Sequence, residues 1–340
     1  MKAILTAIVI GLWAAQCSAA GGEQRRFEYT EPHMGTRFRI VLYAADEATA
    51  NRAAKAAFAR IAELDGIMSD YRATSELMQL CAKAGGEPVK VSDDLFTVLE
   101  KAQQVSWLSD GAFDVSVGPV VKLWRIARRT QKLPDKEALD KALALVGYRN
   151  IKLDSKNRTV QVVKPGMQLD LGGIAKGYAA DCALATLRKH AVDRALVAAG
   201  GDIAVSGPPP DADGWKIGIQ PVEGGEPRKY LLLKDAAVST SGDFEQYTVI
   251  DGKRYSHIVD PKTGLGLVGR MSVTVVAKNG LNSDPLAKVP CVLGPEKGLA
   301  IIDSLDGVSA LMVRKTDKGE EVIESKRFKE LKSSRERKER

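Results

Sequence analysis

The pattern of apolar and polar positions predicts helices in the first half of the chain. The segment "RFRIVLYA" (residues 37–44) alternates polar and apolar residues, which is typical of a strand with one buried face. It precedes "DEATANRAAKAAFARIAELDGIMS", an alanine-rich run with apolar residues at helical spacing. A second helix is predicted from the Ser/Asp cap at Ser92 to Gly111, and a third from Pro134–Asp135 to Gly147.

The second half predicts mainly short strands. "NIKLDSKNRTVQVVKPGMQLDLG" reads as strands joined by a turn at residues 155–157, and "AKGYAADCALATLRKHA" as a helix. After Ala195, short β-branched segments alternate with Gly, Asp and Pro. A kinked helix, a following helix and a hairpin ("GVSALMVRK", "EVIES") close the chain. Because helices cluster first and strands later, the predicted class is α+β, with mixed or antiparallel strands.

Composition is that of an ordinary globular protein, with 44% hydrophobic and 27% charged residues over 340 positions. The net charge is +7. Residues 324–340 contain eight Lys/Arg and four Glu, so this segment alone contributes +4 of the net charge. This segment is predicted to be a charged, flexible tail, with contact to nucleic acid or an anionic membrane as the alternative. Elsewhere no basic patch is interleaved with aromatic residues, which disfavours nucleic-acid binding.

The first 20 residues resemble a secretory signal. Lys2 precedes an apolar run over residues 3–15, and small residues follow at 18–20. Cys17 offers lipid attachment as an alternative, although Gln16 stands where a small residue is expected. We therefore expect an exported, periplasmic protein, either free or anchored to the inner membrane by a lipid.

Motif searches exclude several enzyme classes. There is no G-x-S-x-G elbow and no H-E-x-x-H helix, and Cys81, Cys182 and Cys291 have no zinc-like spacing, so we expect them to be small buried residues. Of three histidines, His257 lies between a strand and a Pro/Gly turn, where either a structural or a catalytic role is open.

A glycine-rich loop is the strongest phosphate-binding candidate. "GGIAKG" (residues 172–177) is predicted to follow a strand and open a helix, so that free N–H groups and the positive helix end face an anion. Tyr71 in "DYRATSEL" could stack on a flat heterocycle, or be half-buried. Each signal alone is modest.

Together these motifs resemble the ApbE family of FAD:protein FMN transferases over residues 33 to about 323. The matching stretches are "MGTRFRI", "MSDYRATSEL", "GAFDVSVGPVVKLW", "LDLGGIAKGYAAD", "VAAGGDIAVSG", "AVSTSGDFEQY", "YSHIVDPKTG" and "SDPLAKVPCVLG". The resemblance implies an α+β enzyme, often lipid-anchored, that cleaves FAD at its pyrophosphate. It transfers FMN to a Ser or Thr hydroxyl of a partner protein and releases AMP. It also implies one transferase domain over residues 21–323, after a signal at 1–20 and before the tail at 324–340.

The resemblance assigns site residues by motif. The implied FAD pocket comprises Met34, Tyr71, Ala112, Phe113, Asp114, Asp170, Lys176 and Val259. An implied Mg²⁺ is held by the carbonyl near Gly173, by Asp284 and by a threonine hydroxyl. His257 or a nearby carboxylate is the expected base.

The chain departs from this pattern at one metal ligand. "LNSDPLAKVPCVLG" predicts a helix that begins at Asp284, with Pro285 after it, but Lys288 occupies the threonine position and Pro290 interrupts the helix. A protonated ammonium cannot ligate Mg²⁺. Three outcomes are open: Lys288 turns away and water completes the metal shell, Lys288 pairs with Asp284 and acts in catalysis as a fixed monocation against the pyrophosphate, or the site binds FAD without chemistry.

Three functions are open. The first is FMN transfer to a protein. The second is FAD binding without transfer, and the third is hydrolysis of FAD to FMN and AMP. AMP release separates the second from the others, and covalent flavin on a partner separates the first from the third.

Overall fold

The computed structural model describes residues 23–219, 226–227, 229–243, 246–331 and 333–334. The predicted signal at 1–20 lies outside these residues. The helices are α1 (Glu47–Met68), α2 (Glu76–Ala82), α3 (Asp93–Leu108), α4 (Gly118–Thr130), α5 (Lys136–Leu143), α6 (Ala175–Lys189) and α7 (Gly280–Asp303). The strands are β1 (Arg25–His33), β2 (Thr36–Ala44), β3 (Val89–Lys90), β4 (Ile151–Asp154), β5 (Thr159–Val162), β6 (Ala195–Ala199), β7 (Asp202–Val205), β8 (Trp215–Ile219), β9 (Lys229–Leu233), β10 (Ala236–Gly242), β11 (Tyr247–Ile250), β12 (Lys253–Val259), β13 (Gly266–Val268), β14 (Met271–Ala277), β15 (Ser309–Thr316), β16 (Gly319–Glu324) and β17 (Ser333–Ser334).

An antiparallel sheet of eight strands forms the centre, in the order β1-β2-β6-β7-β10-β14-β15-β16. Alternation along β2 shows how it is buried: Phe38, Ile40 and Leu42 face the main core, whereas Val41 faces a second apolar cluster. Because side chains of a strand point alternately to the two faces, both faces must be covered. Helices α1, α6 and α7 pack on the first face, and the small sheet β17-β9-β8 lies over the second. The predicted α+β class is confirmed.

Local signals located most elements correctly. Asp46 and Ser92 cap α1 and α3 by accepting the N–H groups of Thr49 and Leu95. The hairpin of β15 and β16 and the strands around residues 155–157 also form as predicted. The sequence interpretation missed β1, β3, β13, β17, α2 and α4.

Helix α7 differs from the prediction in where it begins and breaks. It begins at Gly280, because Asn279 caps it through the Asn282 N–H and Asp181 accepts the N–H groups of Gly280 and Leu281. Asp284 therefore lies one turn inside the helix and not at its start. Pro290 keeps helical geometry, and the break falls at Gly294 (φ 79°), a backbone conformation that favours glycine.

The first part of the predicted tail is packed. Residues 326–330 form a 3₁₀ turn in which Phe328 is fully buried, and β17 pairs with β9. Among the described residues, no helix is both long enough and apolar enough to cross a membrane. Cys81 and Cys291 are free and buried, as expected, and Cys182 is partly buried.

Candidate functional site

The glycine-rich loop is held by Asp170. Its Oδ1 accepts the Gly172 N–H at 2.8 Å, and its own N–H donates to the Val115 carbonyl. The residues before the loop are irregular chain, so the predicted strand there is wrong, and α6 begins within the motif at Ala175. Lys176 in the first turn of α6 donates back to the Gly172 carbonyl at 2.8 Å.

Helices α6 and α7 cross at two glycines. A Cβ on Gly177 would lie 2.8 Å from the Asp284 Cβ and even nearer the Gly280 carbonyl, so only glycine allows this approach. As a result, the Gly177 N–H donates to Asp284 Oδ2 at 3.0 Å. Asp284 is fully buried in this crossing.

Two lysines converge on the buried Asp284. The Lys288 ammonium pairs with Asp284 Oδ1 and donates to the Asp284 carbonyl at 2.9 Å. The Lys176 Nζ lies 3.9 Å from Asp284 Oδ2 and 3.2 Å from Asp202 Oδ2 on β7. We call Lys176, Asp202, Asp284 and Lys288 the charge cluster. The Lys288 stem also passes beside Gly173, where a Cβ would lie 3.5 Å from Lys288 Cε.

The charge cluster shifts the pKa values of its members. Burial alone would raise the pKa of Asp284, but the Lys176 and Lys288 ammonium groups outweigh it and hold that pKa below its ordinary value. Burial opposes the charge on Lys176, yet Asp202 and Asp284 raise its pKa. The pKa of Asp202 is raised, first by burial and then by the Asp284 charge. Lys176 and Asp284 are therefore charged at neutral pH.

Arg125 links the glycine loop to Tyr71. Its Nη1 lies 2.6 Å from Asp70 Oδ2, and its Nη2 donates to Asp170 Oδ2 at 3.0 Å. The guanidinium carbon lies 4.1 Å from the centroid of the Tyr71 ring. Because Tyr71 is 76% exposed, the rest of its aromatic surface is available for stacking.

His257 on β12 is held as a neutral ring, and among the described residues only its Nδ1 has a hydrogen-bond partner. Its Nδ1 lies 3.0 Å from the Gln246 carbonyl, which can only accept, so Nδ1 carries the proton and Nε2 keeps a lone pair. Although the side chain is exposed, the protein around its ring removes hydration, and this loss and then the cationic Lys288, Arg128 and Lys176 lower the pKa of His257 to about 4. Nε2 can therefore accept a proton at neutral pH.

Of two further predicted residues, Phe113 lies beside the glycine loop and Met34 lies in the turn between β1 and β2. Phe113 contacts the glycine loop, where its ring lies 3.3 Å from the Cβ position of Gly173. Met34 (φ 48°) and Gly35 (φ 71°) form the tight turn between β1 and β2. The next residue, Thr36, lies beside Gly200 in the turn that leads to Asp202.

The other three predicted pocket residues make contacts within the protein. Asp114 Oδ1 accepts from Ser116, and its Oδ2 accepts the Tyr148 N–H at 2.8 Å, so both oxygens have partners. Ala112 is 3% exposed, and Val259 packs in an apolar cluster of α4, α5 and β12. Their side chains are not brought to the charge cluster, and their roles toward FAD stay predictions.

The side chains around Asp284 do not fit a divalent cation. Both Asp284 oxygens already have cationic or N–H partners, and position 288 offers an ammonium and no oxygen. A dication about 4 Å from that ammonium would be repelled by about 8 kcal/mol at an effective dielectric constant of about 20, twice the value for two unit charges. Over the described ranges, no group of three or more His, Cys, Asp and Glu side chains could hold a metal ion.

Comparison with known proteins identifies the family of this chain. A family model described as the ApbE family matches residues 34–312. The chain belongs to the ApbE family. It is 35% identical over 296 residues to the FAD:protein FMN transferase of Klebsiella pneumoniae (strain 342), covering 86% of this chain and 90% of that one. It is 34% identical over 329 residues to the FAD:protein FMN transferase of Treponema pallidum, covering 91% and 90%.

Solved ApbE structures share the whole fold. The flavin transferase ApbE from Vibrio cholerae superposes with a TM-score of 0.82 at 31% identity, covering 91% of this chain and 100% of that chain. The apo flavinyl transferase ApbE of Pseudomonas stutzeri gives 0.80 at 30% identity, covering 91% and 97%. The predicted ApbE fold is therefore confirmed.

Three polar residues of this ApbE site escaped the sequence interpretation: Asp70, Arg125 and Asp202. Asp70 and Asp202 stand inside quoted ApbE motifs, next to Tyr71 and Gly201, and Arg125 directly follows another. A search for charged residues beside glycine and aromatic motif positions would have selected them. Their pairing with one another and with Lys176 depends on tertiary contacts.

Proposed function

We propose that this protein is a FAD:protein FMN transferase. The observation that carries the proposal is the arrangement of Lys176 and Lys288 beside the glycine loop, with the exposed Tyr71 ring on the Arg125 side of that loop. Cations suit a pyrophosphate, and an exposed aromatic ring suits a flat heterocycle. Relatives at 34–35% identity that carry this activity in their names support the same assignment.

The reaction replaces the phosphoanhydride bond of FAD by a phosphoester bond to the acceptor protein. A Ser or Thr hydroxyl oxygen of the acceptor protein forms a bond to the phosphorus of the FMN half. The anhydride P–O bond breaks, and AMP leaves with the bridging oxygen and the electron pair. The hydroxyl proton passes to a base.

Residues of this chain supply charge, position and a proton acceptor. Lys176 and Lys288 stabilise the negative charge that develops on the leaving phosphate, since phosphoryl transfer depends mainly on positioning and electrostatics. The neutral His257 has its Nε2 lone pair free to take the hydroxyl proton. Tyr71 is the candidate for stacking on a ring of FAD.

The test combines the purified protein, FAD and a candidate acceptor with an exposed Ser or Thr. We expect in-gel flavin fluorescence on the acceptor and stoichiometric AMP, both absent when that Ser or Thr is replaced by Ala. AMP without flavin on any acceptor would instead indicate a FAD pyrophosphatase. FAD binding without AMP would indicate a flavin-binding protein that lacks transfer.

The magnesium ion stays a prediction of the family resemblance. Binding of Mg²⁺ to Asp284 would require the Lys288 ammonium to leave Asp284 Oδ1. A magnesium titration of the same assay tests it.

We also propose that the protein is exported to the periplasm and acts on an exported acceptor. The signal-like sequence of residues 1–20 supports this. A fusion of residues 1–22 to a reporter should be exported and cleaved. Lipid on Cys17 would establish the anchored form, and a reporter left in the cytoplasm would refute export.

A further inference from the structure

The charge cluster is layered, with carboxylates inside and ammonium groups outside. The side chains of Asp284 and Asp202 are 0% and 5% exposed, whereas those of Lys288 and Lys176 are 16% and 23% exposed. A ligand that approaches the glycine loop therefore meets two cations before it meets either anion.

We propose, on the basis of the function above, that Lys288 is a built-in replacement for a catalytic metal ion, so that FAD binding and pyrophosphate cleavage need no divalent cation. The ammonium lies directly on the carboxylate oxygen that a metal would have to ligate. Lys176, on the other side of Asp284, supplies the second positive charge.

Lys288 keeps one N–H for the ligand. It donates to Asp284 Oδ1 and to the Asp284 carbonyl, and an ammonium has three N–H bonds, so within the described part of the chain its third N–H has no acceptor. Lys176 donates to the Gly172 carbonyl and is ion-paired with Asp202 and Asp284, so it acts on an approaching phosphate through its charge. Lys288 can therefore donate to a phosphate oxygen of the anhydride, while Lys176 adds a second positive charge beside it.

Lys288 is fixed in this position and does not turn away. Asp284 and Lys288 are one helical turn apart on α7, the spacing at which oppositely charged side chains meet. The stem is confined beside Gly173, and the side chain is only 16% exposed. A lysine that merely covered the surface would show neither the confinement nor the contact with a buried carboxylate.

The first readout is FAD affinity, measured by titration calorimetry with excess EDTA or with Mg²⁺. We expect the parent to bind FAD equally well in both buffers. Lys288→Thr, which restores a hydroxyl and frees Asp284 Oδ1, should bind FAD weakly in EDTA and more tightly with Mg²⁺. Lys288→Met should bind weakly in both. Lys297→Met removes an exposed lysine from the same helix and should behave as the parent.

The second readout is the rate of AMP release under the same conditions. We expect the parent rate to be insensitive to EDTA, and Lys288→Met to lose about 10²-fold or more without rescue by Mg²⁺, as when one donor to a developing oxyanion is removed. Lys288→Thr should become EDTA-sensitive. Circular dichroism and thermal melting check that each variant is folded.

Two results would overturn this inference. One is a parent whose FAD affinity or AMP release is abolished by EDTA and restored by Mg²⁺; flavin transfer to the acceptor in Mg²⁺ would then still uphold the proposed function. The other is a folded Lys288→Met with parental affinity and rate. By contrast, metal-independent FAD binding that depends on Lys288, with no transfer under any condition, would refute the transferase function while supporting the role of Lys288 in binding.

Discussion

Arg125 is predicted to hold the Tyr71 ring in position for stacking, and Arg125→Met tests this. The change removes ion pairs to Asp70 and Asp170 and the contact with the Tyr71 ring. Removing one partner of a buried pair costs about 3–5 kcal/mol, and surface pairs are worth at most about 1 kcal/mol. Because Arg125 is 25% exposed and its partners are 12% and 11% exposed, we expect a loss of about 2–3 kcal/mol in the free energy of unfolding.

The loss should depend on pH in a defined direction. Burial and then the Asp70 charge already raise the pKa of Asp170, while Arg125 opposes them. Without Arg125, the folded-state pKa of Asp170 rises further above its unfolded value, so the folded variant binds more protons than the unfolded chain. Its stability therefore falls as pH rises through that pKa. Urea unfolding should show a smaller deficit at about pH 5 than at about pH 7.5.

Matched variants separate the ion pairs from the aromatic contact. Tyr71→Leu keeps both ion pairs, so it should weaken FAD binding with little loss of stability. Arg125→Lys should give an intermediate stability, because an ammonium cannot bridge two carboxylates as a planar guanidinium does. A folded Arg125→Met that loses less than about 1 kcal/mol, equally at both pH values, would refute the reasoning by placing the pairs among weak surface contacts.

Two other predictions concern helix packing and the proposed base. Gly177→Ala should lower the free energy of unfolding by about 1–3 kcal/mol, because its Cβ would collide with the Gly280 carbonyl. The control Gly66→Ala has open space around it in α1 and should raise the free energy of unfolding by about 0.5–1 kcal/mol. Equal effects of the two changes in denaturant melts would contradict the close crossing of α6 and α7. If His257 is the base, the pH profile of kcat/KM for flavin transfer should show an acid limb near 4 that is lost in His257→Gln, because the ring stays neutral above its lowered pKa. A limb near the ordinary value of about 6.5 would contradict the lowered pKa.

Sequence patterns predicted most elements because their signals are local. The caps at Asp46 and Ser92 and the two-residue alternation of β2 depend only on neighbouring residues. Strand β1 was missed because its residues, "RRFEYTEPH", are largely exposed and include a proline at the sheet edge. The order of the strands in the sheet could not be predicted from local patterns, because β10 lies between β7 and β14 only through long-range pairing.

The candidate site was predictable where one short motif carries it. Asp170, Gly173 and Lys176 belong to one loop, and Asp284 with Lys288 to one helical turn, so spacing alone relates them. Arg125 reaches Asp170 across 45 residues, and Asp202 on strand β7 reaches Lys176 on helix α6. The sequence contains these charged residues, but only the folded structure shows that Arg125 pairs with Asp170 and Lys176 with Asp202.

The helix start at Gly280 determines what Asp284 can do. If α7 began at Asp284, as the Asp-Pro pair suggests, the carboxylate would accept N–H groups of its own first turn. Asn279 and Asp181 take over that task four residues earlier, and so release the Asp284 side chain toward α6. There it accepts the Gly177 N–H, and residue 288 follows about one turn later on the same face. The residue type at 288 then decides whether Asp284 Oδ1 is available to a metal ion or is paired with a side-chain cation. Here Lys288 pairs with it.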